Sequence, residues 1–283
     1  MTYLITGATG DIGSRLLTRL LERGERPRVF VRDVQKAQAR YGDRVEIVVG
    51  DLADAASLQT ALAGIETLFL VNSGPELAHR DEAAAHAARA AGVKHLVKLS
   101  SMDAQQLNVG TGVWHAKGEA AIRRTGINFT FVQPSGFMSN ALFWAPLIKT
   151  EGVVRTCTGD GKIPFIHPED IADVATEAIT TQKYYGEALP ISGPEALNYG
   201  EMATRIGAAA GRAIRFEEIS EEEERREMAA RGESPEMIEA HISIYRAICE
   251  GRLVTVTDKV ALVLGRKPFT FDQWARENAS AFQ

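Results

Sequence analysis

Short apolar runs alternate with helical patterns through the first half of the chain. The apolar runs predict strands at 2–6, 28–32, 45–49, 67–71, 95–100 and 128–133. Apolar residues at helical spacing between them predict helices at 12–23, 34–40, 54–63, 79–91 and 113–125. Strands that are apolar throughout are typical of a parallel sheet whose two faces are both covered by helices. The pattern therefore predicts an α/β fold with a doubly wound parallel sheet.

After Pro134 this alternation is lost. An apolar stretch at helical spacing and one more predicted strand follow, at 137–148 and 188–192. The other predicted helices lie at 199–210, 221–231, 235–250 and 270–281. Because ligands of open α/β sheets lie beyond the carboxyl ends of the strands, we expect this mostly helical part to form a small lobe over a bound molecule.

A glycine-rich loop joins the first predicted strand to the first predicted helix. This glycine loop (residues 6–13) reads Thr6-Gly7-Ala8-Thr9-Gly10-Asp11-Ile12-Gly13. Gly7 permits a tight turn, Gly10 lets the backbone approach a pyrophosphate, and Gly13 lets the helix pack closely on the strand. Backbone amides at the helix N-terminus can hold the phosphates. The loop therefore predicts a Rossmann-type dinucleotide-binding fold, with a purely structural turn as the alternative. The expected cofactor contacts are Gly7, Thr9, Gly10, Asp11, Ile12 and Gly13.

The position of the glycine loop suggests how the chain is divided. Residues 1–155 are predicted to form the dinucleotide-binding Rossmann domain. Residues 156–283 are predicted to return to the sheet and to form the smaller lobe that covers the substrate. We expect the two parts to interleave as one structural unit.

Residues just past the second strand select the cofactor, because they meet the adenosine ribose. An acidic residue there binds the 2′-hydroxyl of NAD, whereas an arginine pairs with the 2′-phosphate of NADP. The chain carries both types, as Arg32 and Asp33. We favour Arg32 and NADPH/NADP over NAD, because a guanidinium can stack on adenine and also pair with phosphate. Asp33 alternatively caps the next helix.

Two further strand ends carry polar residues near the expected adenosine site. Asp51 and Leu52 follow the third strand, and the carboxylate either accepts a hydrogen bond from adenine or caps the next helix. Val71 and Asn72 end the fourth strand, where Asn72 either contacts the ribose or forms a turn. We expect all four residues to contact the cofactor.

Charge and composition argue against several other classes. A net charge of −5 over 283 residues does not favour a nucleic-acid partner, and the acidic run at 221–224 is interpreted as a solvated helix face. No apolar stretch reaches the roughly 20 residues that span a bilayer. Cys157, Cys249 and the six histidines lack metal or disulfide spacing. We expect a cytoplasmic protein without a metal, as a monomer or homodimer.

Several motifs resemble those of a known superfamily. The glycine loop, Arg32-Asp33 and Gly50-Asp51-Leu52 are similar to the short-chain dehydrogenase/reductase superfamily. The run Lys117-Gly-Glu-Ala-Ala-Ile-Arg-Arg-Thr-Gly-Ile-Asn-Phe-Thr-Phe-Val-Gln-Pro-Ser-Gly-Phe-Met-Ser-Asn and the run Asp170-Ile-Ala-Asp-Val-Ala resemble its atypical, NmrA-like branch. The resemblance implies a Rossmann fold with an NADP cofactor. Members of the branch include quinone reductases, dye reductases, ketoreductases and NADP-sensing regulators.

The resemblance also implies a catalytic set that this chain keeps only in part. The superfamily uses a serine on the fifth strand and a Tyr-x-x-x-Lys helix. Ser101 matches the serine and Lys117 matches the lysine, but Val113 stands where the tyrosine is expected. In the family, the segment after the sixth strand borders the nicotinamide, so that Ser100, Lys117, Pro134 and Phe137 are further expected cofactor contacts.

His115 is a candidate replacement for the missing proton donor. An imidazole titrates near neutral pH and can donate a proton to a reacting oxygen. His115 and Lys117 are two residues apart, which is about 200° around a helix, so both face one acceptor only if the helix begins near Trp114. A structural histidine and a surface lysine are the alternatives.

An aromatic-rich stripe follows the sixth strand. Its position beyond a strand end favours a pocket wall, although such a stripe is also typical of a core. The expected substrate-pocket residues are Met102, Trp114, Met138, Asn140, Phe143, Trp144 and Phe165. An apolar cleft of this kind suits a flat aromatic molecule.

These observations together predict an NADPH-dependent oxidoreductase of the NmrA-like type. It would transfer hydride to a hydrophobic aromatic acceptor such as a quinone, an aromatic or polyketide ketone, or a dye. Lys117, Ser101 and His115 would polarise or protonate that acceptor. The alternative is a non-catalytic regulator that senses NADP(H), for which a missing tyrosine is equally expected.

Overall fold

Apolar four- to seven-residue strands build the protein around one parallel sheet. The computed structural model describes residues 1–106 and 108–283. Its strands are β1 (Tyr3–Thr6), β2 (Arg28–Val31), β3 (Glu46–Val49), β4 (Thr67–Leu70), β5 (His95–Leu99), β6 (Asn128–Pro134), β7 (Val153–Thr156), β8 (Glu187–Ile191) and β9 (Arg215–Glu218). Seven of them form a parallel sheet in the order β3-β2-β1-β4-β5-β6-β8. The strand order reverses between β1 and β4, where open α/β sheets bind ligands.

Helices cover both faces of this sheet. The helices are α1 (Asp11–Glu22), α2 (Val34–Tyr41), α3 (Ala55–Leu62), α4 (Leu77–Ala90), α5 (Gly112–Thr125), α6 (Ala145–Glu151), α7 (Pro168–Thr180), α8 (Tyr199–Ala210), α9 (Glu221–Ala230), α10 (Pro235–Cys249), α11 (Lys259–Leu264) and α12 (Phe271–Glu277). Short 3₁₀ helices lie at Gly42–Arg44, Met102–Gln105, Met138–Trp144 and Ala279–Phe282. Side chains of α1, α2 and α7 share one core cluster with the sheet, and those of α3, α4 and α5 share another. The predicted doubly wound α/β fold is confirmed.

The C-terminal part adds a mostly helical lobe with its own core. Side chains of α8, α10 and α12 pack there with those of the 3₁₀ helix at Met138–Trp144. The sequence pattern did not predict β7 and β9, which pair with each other in parallel outside the main sheet. Each strand has only four residues and carries charged side chains such as Arg155 and Glu217, so its apolar signal is weak.

The acidic run on α9 is only partly a solvated face. Glu224 is 3% exposed, because α9 turns it toward the interior of the lobe. Burial raises the pKa of its carboxyl. The prediction that the whole run faces solvent was therefore wrong at this position. The division of the chain at residue 155 stays a prediction.

The helices also bear on a possible membrane location. Within the described ranges, none combines the length and the apolar character that crossing a bilayer requires.

Candidate active site

The glycine loop has the conformation that its three glycines predict. Gly7 has φ +64°, and a Cβ there would lie 2.9 Å from Cβ of Val71. The amide of Gly10 donates to the carbonyl of Gly7 at 2.9 Å. A Cβ on Gly13 would lie 2.2 Å from that same carbonyl oxygen, closer than real atoms approach. The loop therefore folds against the end of β4 and against α1 only with glycine at positions 7 and 13.

The N-terminus of α1 opens onto a cleft. Gly10 is its N-cap residue, and no side chain within the described ranges caps the helix. The first-turn amides, including those of Asp11 and Ile12, therefore lack an intrahelical partner. Thr9, Gly10 and Asp11 line a cleft of about 510 Å³. A turn that lacks Cβ atoms at Gly7 and Gly10, beside unpaired amides, fits the pyrophosphate of a dinucleotide.

Side chains from other elements fix the glycine loop. The hydroxyl of Ser139 donates to Asp11 at 2.7 Å, which ties the segment after β6 to the loop. Tyr41, at the end of α2, donates its hydroxyl to the carbonyl of Ala8 at 2.6 Å. Sequence reasoning missed Tyr41, although its apolar spacing on α2 was a signal that it is buried. Side chains from two other elements thus hold the loop.

At the adenosine end, Arg32 and Asp33 have different surroundings. The side chain of Arg32 is exposed just past β2. The carboxylate of Asp33 caps α2 by accepting from the amide of Lys36 at 3.0 Å. The capping alternative is therefore what the structure shows for Asp33, and cofactor selection by Arg32 stays a prediction.

The other two strand ends form turns. Asp51 accepts from the amide of Ala53 at 2.9 Å, and Asp54 rather than Asp51 caps α3. Leu52 is partly buried against the core. The amide of Val71 donates to the hydroxyl of Thr6 at 2.7 Å.

Asn72 closes the turn between β4 and α4. It donates to the carbonyl of Leu77 at 3.1 Å and accepts from the amide of Ser73 at 2.9 Å. These bonds match the turn alternative. The predicted cofactor contacts of Asp51, Leu52, Val71 and Asn72 stay predictions.

A buried ion pair lies behind the end of β4. The ammonium of Lys98 is 2.6 Å from the carboxylate of Asp81, and both side chains are fully buried. The contact is an ion pair without hydrogen-bond geometry. Among the described residues, neither Lys98 Nζ nor Asp81 Oδ2 has a hydrogen-bond partner. The side-chain amide of Asn72 donates through Nδ2 to Asp81 Oδ1 at 3.4 Å. Gly118 makes room for the pair, since a Cβ there would lie 2.3 Å from Asp81. Sequence reasoning missed this pair, although a lysine inside an apolar strand was a signal.

His115 and Lys117 point in different directions. The helix α5 begins at Gly112, before Trp114, so the expected late start of the helix is not found. Lys117 is exposed, whereas Nδ1 of His115 is buried and has no partner among the described residues. Burial, and then the charge of Lys98, hold the pKa of His115 well below its usual range. His115 is therefore neutral at pH 7, and both catalytic roles stay predictions.

Ser100 and Ser101 also differ. The buried hydroxyl of Ser100 donates to Glu119 at 2.5 Å, and Gln133 donates to the same oxygen at 2.8 Å. Burial raises the pKa of Glu119. The hydroxyl of Ser101 accepts from the amide of Asp103 at 3.2 Å, so it caps the short 3₁₀ helix after β5. The same hydroxyl also lowers the pKa of the Asp103 carboxyl through a side-chain hydrogen bond, and a catalytic role for Ser101 stays a prediction.

The predicted pocket residues are distributed between core and surface. Met138 and Phe165 are buried in the core of the lobe, and Trp144 packs partly against it. Asn140 is exposed and Phe143 is 82% exposed. Of the remaining expected residues, Pro134 is buried, and Met102, Trp114 and Phe137 are half-buried.

A narrow cavity lies at the carboxyl ends of β5 and β6. It measures about 30 Å³, and its lining includes Met102, Asp103 and Ser135 from the strand ends. Arg252 and Thr255 line the opposite wall. These two belong to a segment without helix or strand at 251–258, which we call the strap. The strap is anchored where Thr257 bonds to Ser192 and Pro190. This cavity lies between the sheet and the C-terminal lobe, at the carboxyl ends of the strands, where open α/β sheets bind ligands.

The parallel sheet, the glycine loop and the cleft beside α1 define a nucleotide-binding protein of the Rossmann type. A family described as NAD(P)H-binding matches residues 7–182, and the chain belongs to this family.

Two curated relatives cover almost the whole chain. The protein is 37% identical over 281 residues to the (4-alkanoyl-5-oxo-2,5-dihydrofuran-3-yl)methyl phosphate reductase of Streptomyces griseus subsp. griseus, covering 99% of this chain and 98% of that protein. It is 34% identical over 282 residues to the NAD(P)H azoreductase of Xenophilus azovorans, covering 99% and 98% respectively.

A solved structure has the same fold. The NADPH-dependent quinone oxidoreductase of Escherichia coli complexed with NADPH matches with a TM-score of 0.87 at 24% identity, covering 98% of this chain and 99% of that chain. The fold is that of the predicted NmrA-like branch of the short-chain superfamily, and the chain is an NAD(P)H-dependent reductase.

Proposed function

We propose that the protein reduces a flat conjugated acceptor, such as a quinone, an azo dye or an aromatic ketone, with NADPH. The observation that carries this proposal is the position of the narrow cavity. Ser135 in its wall and Ser139 at the glycine loop belong to one segment after β6, and Ser139 bonds to Asp11. An acceptor between Met102 and the strap would thus lie beside the nicotinamide end of a dinucleotide bound at the loop.

The choice of NADPH over NADH is supported at the end of β2. Asp33 is engaged in capping α2, which leaves the exposed Arg32 to meet the ribose. A guanidinium favours the 2′-phosphate that distinguishes NADPH.

The names of the relatives favour a conjugated acceptor. One is an azoreductase, one is a quinone oxidoreductase, and one is named for an oxo-dihydrofuran ring that bears an alkanoyl group. An aromatic ring suits the apolar side chains that line the cavity, Met102, Ile163 and Leu253.

The chain's own residues would orient and polarise the acceptor. The nicotinamide supplies a hydride when it is bound. Lys117, exposed on α5, would contact the nicotinamide ribose or stabilise negative charge on the acceptor. Ser101 would donate a hydrogen bond to the acceptor oxygen. Neutral His115 would act as a hydrogen-bond partner rather than as a charged acid.

The test is NADPH oxidation with defined acceptors. The purified protein is mixed with NADPH and, separately, menadione, methyl red and acetophenone, and the loss of NADPH absorbance is followed. Acceptor-dependent oxidation of NADPH is expected. Calorimetric binding of NADPH without oxidation by any of the three would contradict the proposal and favour the NADP(H)-sensing regulator.

A further inference from the structure

Asp103 lies where the proposed reduction needs a proton donor. Reducing a carbonyl group takes one hydride and one proton. The superfamily's tyrosine is absent, since Val113 stands in its place, and neutral His115 is a poor source of a proton. Another acid near the acceptor is therefore needed. Asp103 is two residues beyond Ser101 and lines the narrow cavity.

Neighbouring elements hold the half-buried Asp103 in place. It lies in the first turn of the 3₁₀ helix after β5, and its amide donates to Ser101. The start of α5 packs against it, because a Cβ on Gly112 would lie 2.4 Å from the carbonyl oxygen of Asp103. These contacts fix the backbone of Asp103 at the wall of the cavity.

Among the described residues, no cation is paired with the Asp103 carboxyl. Arg252 lines the same cavity, but its Nε is 2.7 Å from Glu250. On α5, Glu119 is bonded to Ser100 and Gln133, His115 is neutral, and Lys117 is exposed. Burial raises the pKa of Asp103 to about 6, and the hydrogen bond from Ser101 opposes this rise. The carboxyl is therefore partly protonated near neutral pH.

We propose that Asp103 is the acid that gives the proton to the acceptor, a role that rests on the proposed reductase function. The cavity of about 30 Å³ that Asp103 lines holds one polar atom or a water molecule. The acceptor's oxygen or nitrogen atom takes this place, with its ring against the strap.

The step balances in atoms and charge. As the hydride from the reduced nicotinamide bonds to the carbonyl carbon, the electron pair of the C=O π bond moves to the oxygen. The O–H bond of the Asp103 carboxyl breaks, and a new O–H bond forms on the acceptor. The nicotinamide is oxidised, the acceptor is reduced to an alcohol, and Asp103 is left as a carboxylate. A solvent proton returns through the cavity before the next turnover.

The experiment compares Asp103→Asn with the wild type in single turnovers. The preformed complex of each protein with NADPH is mixed with whichever of the three acceptors the wild type reduces fastest. We expect the wild-type rate to fall as pH rises above about 6, tenfold per unit, because only the protonated carboxyl donates. Asp103→Asn should lower the rate at low pH about 10²-fold and abolish this pH dependence. Asp103→Glu, which restores an acid, should recover part of the rate.

The control is Asp43→Asn. Asp43 lies in the first turn of another 3₁₀ helix but is exposed. This variant should keep the wild-type rate and pH dependence.

A second measurement does not depend on turnover. Carbon NMR of aspartate-labelled apoprotein should show one carboxyl that titrates near pH 6, and this signal should be missing in Asp103→Asn. Turnover with an unchanged pH profile in Asp103→Asn, or no such titrating carboxyl, overturns the role of Asp103 and leaves the reductase function standing. A wild type that binds NADPH but oxidises it with none of the three acceptors overturns both.

Discussion

The ammonium of Lys98 lies 2.6 Å from the carboxylate of Asp81, and both side chains are completely buried between β5 and α4. The pair contacts candidate site residues, because Asp81 also approaches Asn72 and the charge of Lys98 adds to burial in lowering the pKa of His115. A buried pair of this kind is costly to break on one side only, since the remaining charge then has no counter-charge.

We expect Lys98→Met to lower the free energy of unfolding by about 3–5 kcal/mol, because it leaves Asp81 as an uncompensated buried charge. The double variant Lys98→Met/Asp81→Leu should recover most of this loss. Urea unfolding measures both. The control is Lys94→Met, which breaks an exposed pair with Glu66 that has the same 2.6 Å separation. It should change stability much less, and equal losses in Lys94→Met and Lys98→Met would show that burial is not the cause.

The glycine loop permits a test that separates folding from cofactor binding. Gly13→Ala places a Cβ 2.2 Å from the carbonyl oxygen of Gly7. We therefore expect it to lower the free energy of unfolding by about 1–3 kcal/mol. It should also weaken NADPH binding. In Gly10→Ala the Cβ lies 3.3 Å from the same oxygen, which the loop can nearly accommodate. This variant should unfold like the wild type but bind NADPH at least about tenfold more weakly. Unchanged affinity in calorimetry would place the pyrophosphate elsewhere.

The sequence predicted the main sheet well because every strand in it is an apolar run between helices. The capping role of Asp33 was also predictable, since its carboxylate stands just before the helix α2 and accepts from the amide of Lys36. The strands β7 and β9 were not, because four residues with charged members carry little pattern. Their pairing depends on tertiary contacts with the lobe core.

The candidate site was predictable only where a local motif carries it. The glycine loop is such a motif, and its geometry follows from adjacent residues. The Lys98–Asp81 pair joins residues on different elements, so its partners cannot be read from spacing. The same is true of Asp103, whose environment is set by Gly112 and the distant strap.

Cofactor selection is tested at Arg32. Removing one charge-assisted hydrogen bond to a phosphate costs about 1.5–3 kcal/mol, so Arg32→Ala should weaken NADPH binding about 10- to 100-fold and NADH binding little. Asp33→Ala is the matched control next in sequence. It removes the cap of α2 and should cost about 1 kcal/mol of stability without changing the ratio of the two affinities. Equal losses of NADPH and NADH in Arg32→Ala would exclude Arg32 as the selecting residue.

His95 makes stability depend on pH. Its ring nitrogen Nε2 is 2.9 Å from the hydroxyl of Thr130, which itself donates to the carbonyl of Tyr184. Nε2 therefore carries the hydrogen of the neutral ring. Burial lowers the pKa of His95 to about 4 in the folded protein.

The sign of the effect follows from proton binding. Between about pH 6.5 and pH 4 the unfolded chain binds a proton at His95 that the folded protein does not, so stability falls as pH falls through this range. The total loss is about 3 kcal/mol. We expect the urea midpoint of the wild type to fall as the pH is lowered through this range. In His95→Gln the midpoint should depend much less on pH. His79 is exposed, so His79→Gln should keep the pH dependence of the wild-type midpoint. If His95→Gln keeps it as well, other groups cause the pH dependence.

Lys117 tests whether α5 acts on the chemistry. The side chain is exposed, so Lys117→Ala should leave the unfolding curve unchanged. If its ammonium stabilises charge on the acceptor, kcat should fall about 10²-fold while the KM for NADPH stays constant. If it only holds the nicotinamide ribose, the KM for NADPH should rise instead. The control Arg124→Ala removes another exposed cation from the same helix and should alter neither constant. Steady-state kinetics that are identical in Lys117→Ala and the wild type would remove Lys117 from the mechanism and leave Ser101 and Asp103 as the groups that act on the acceptor.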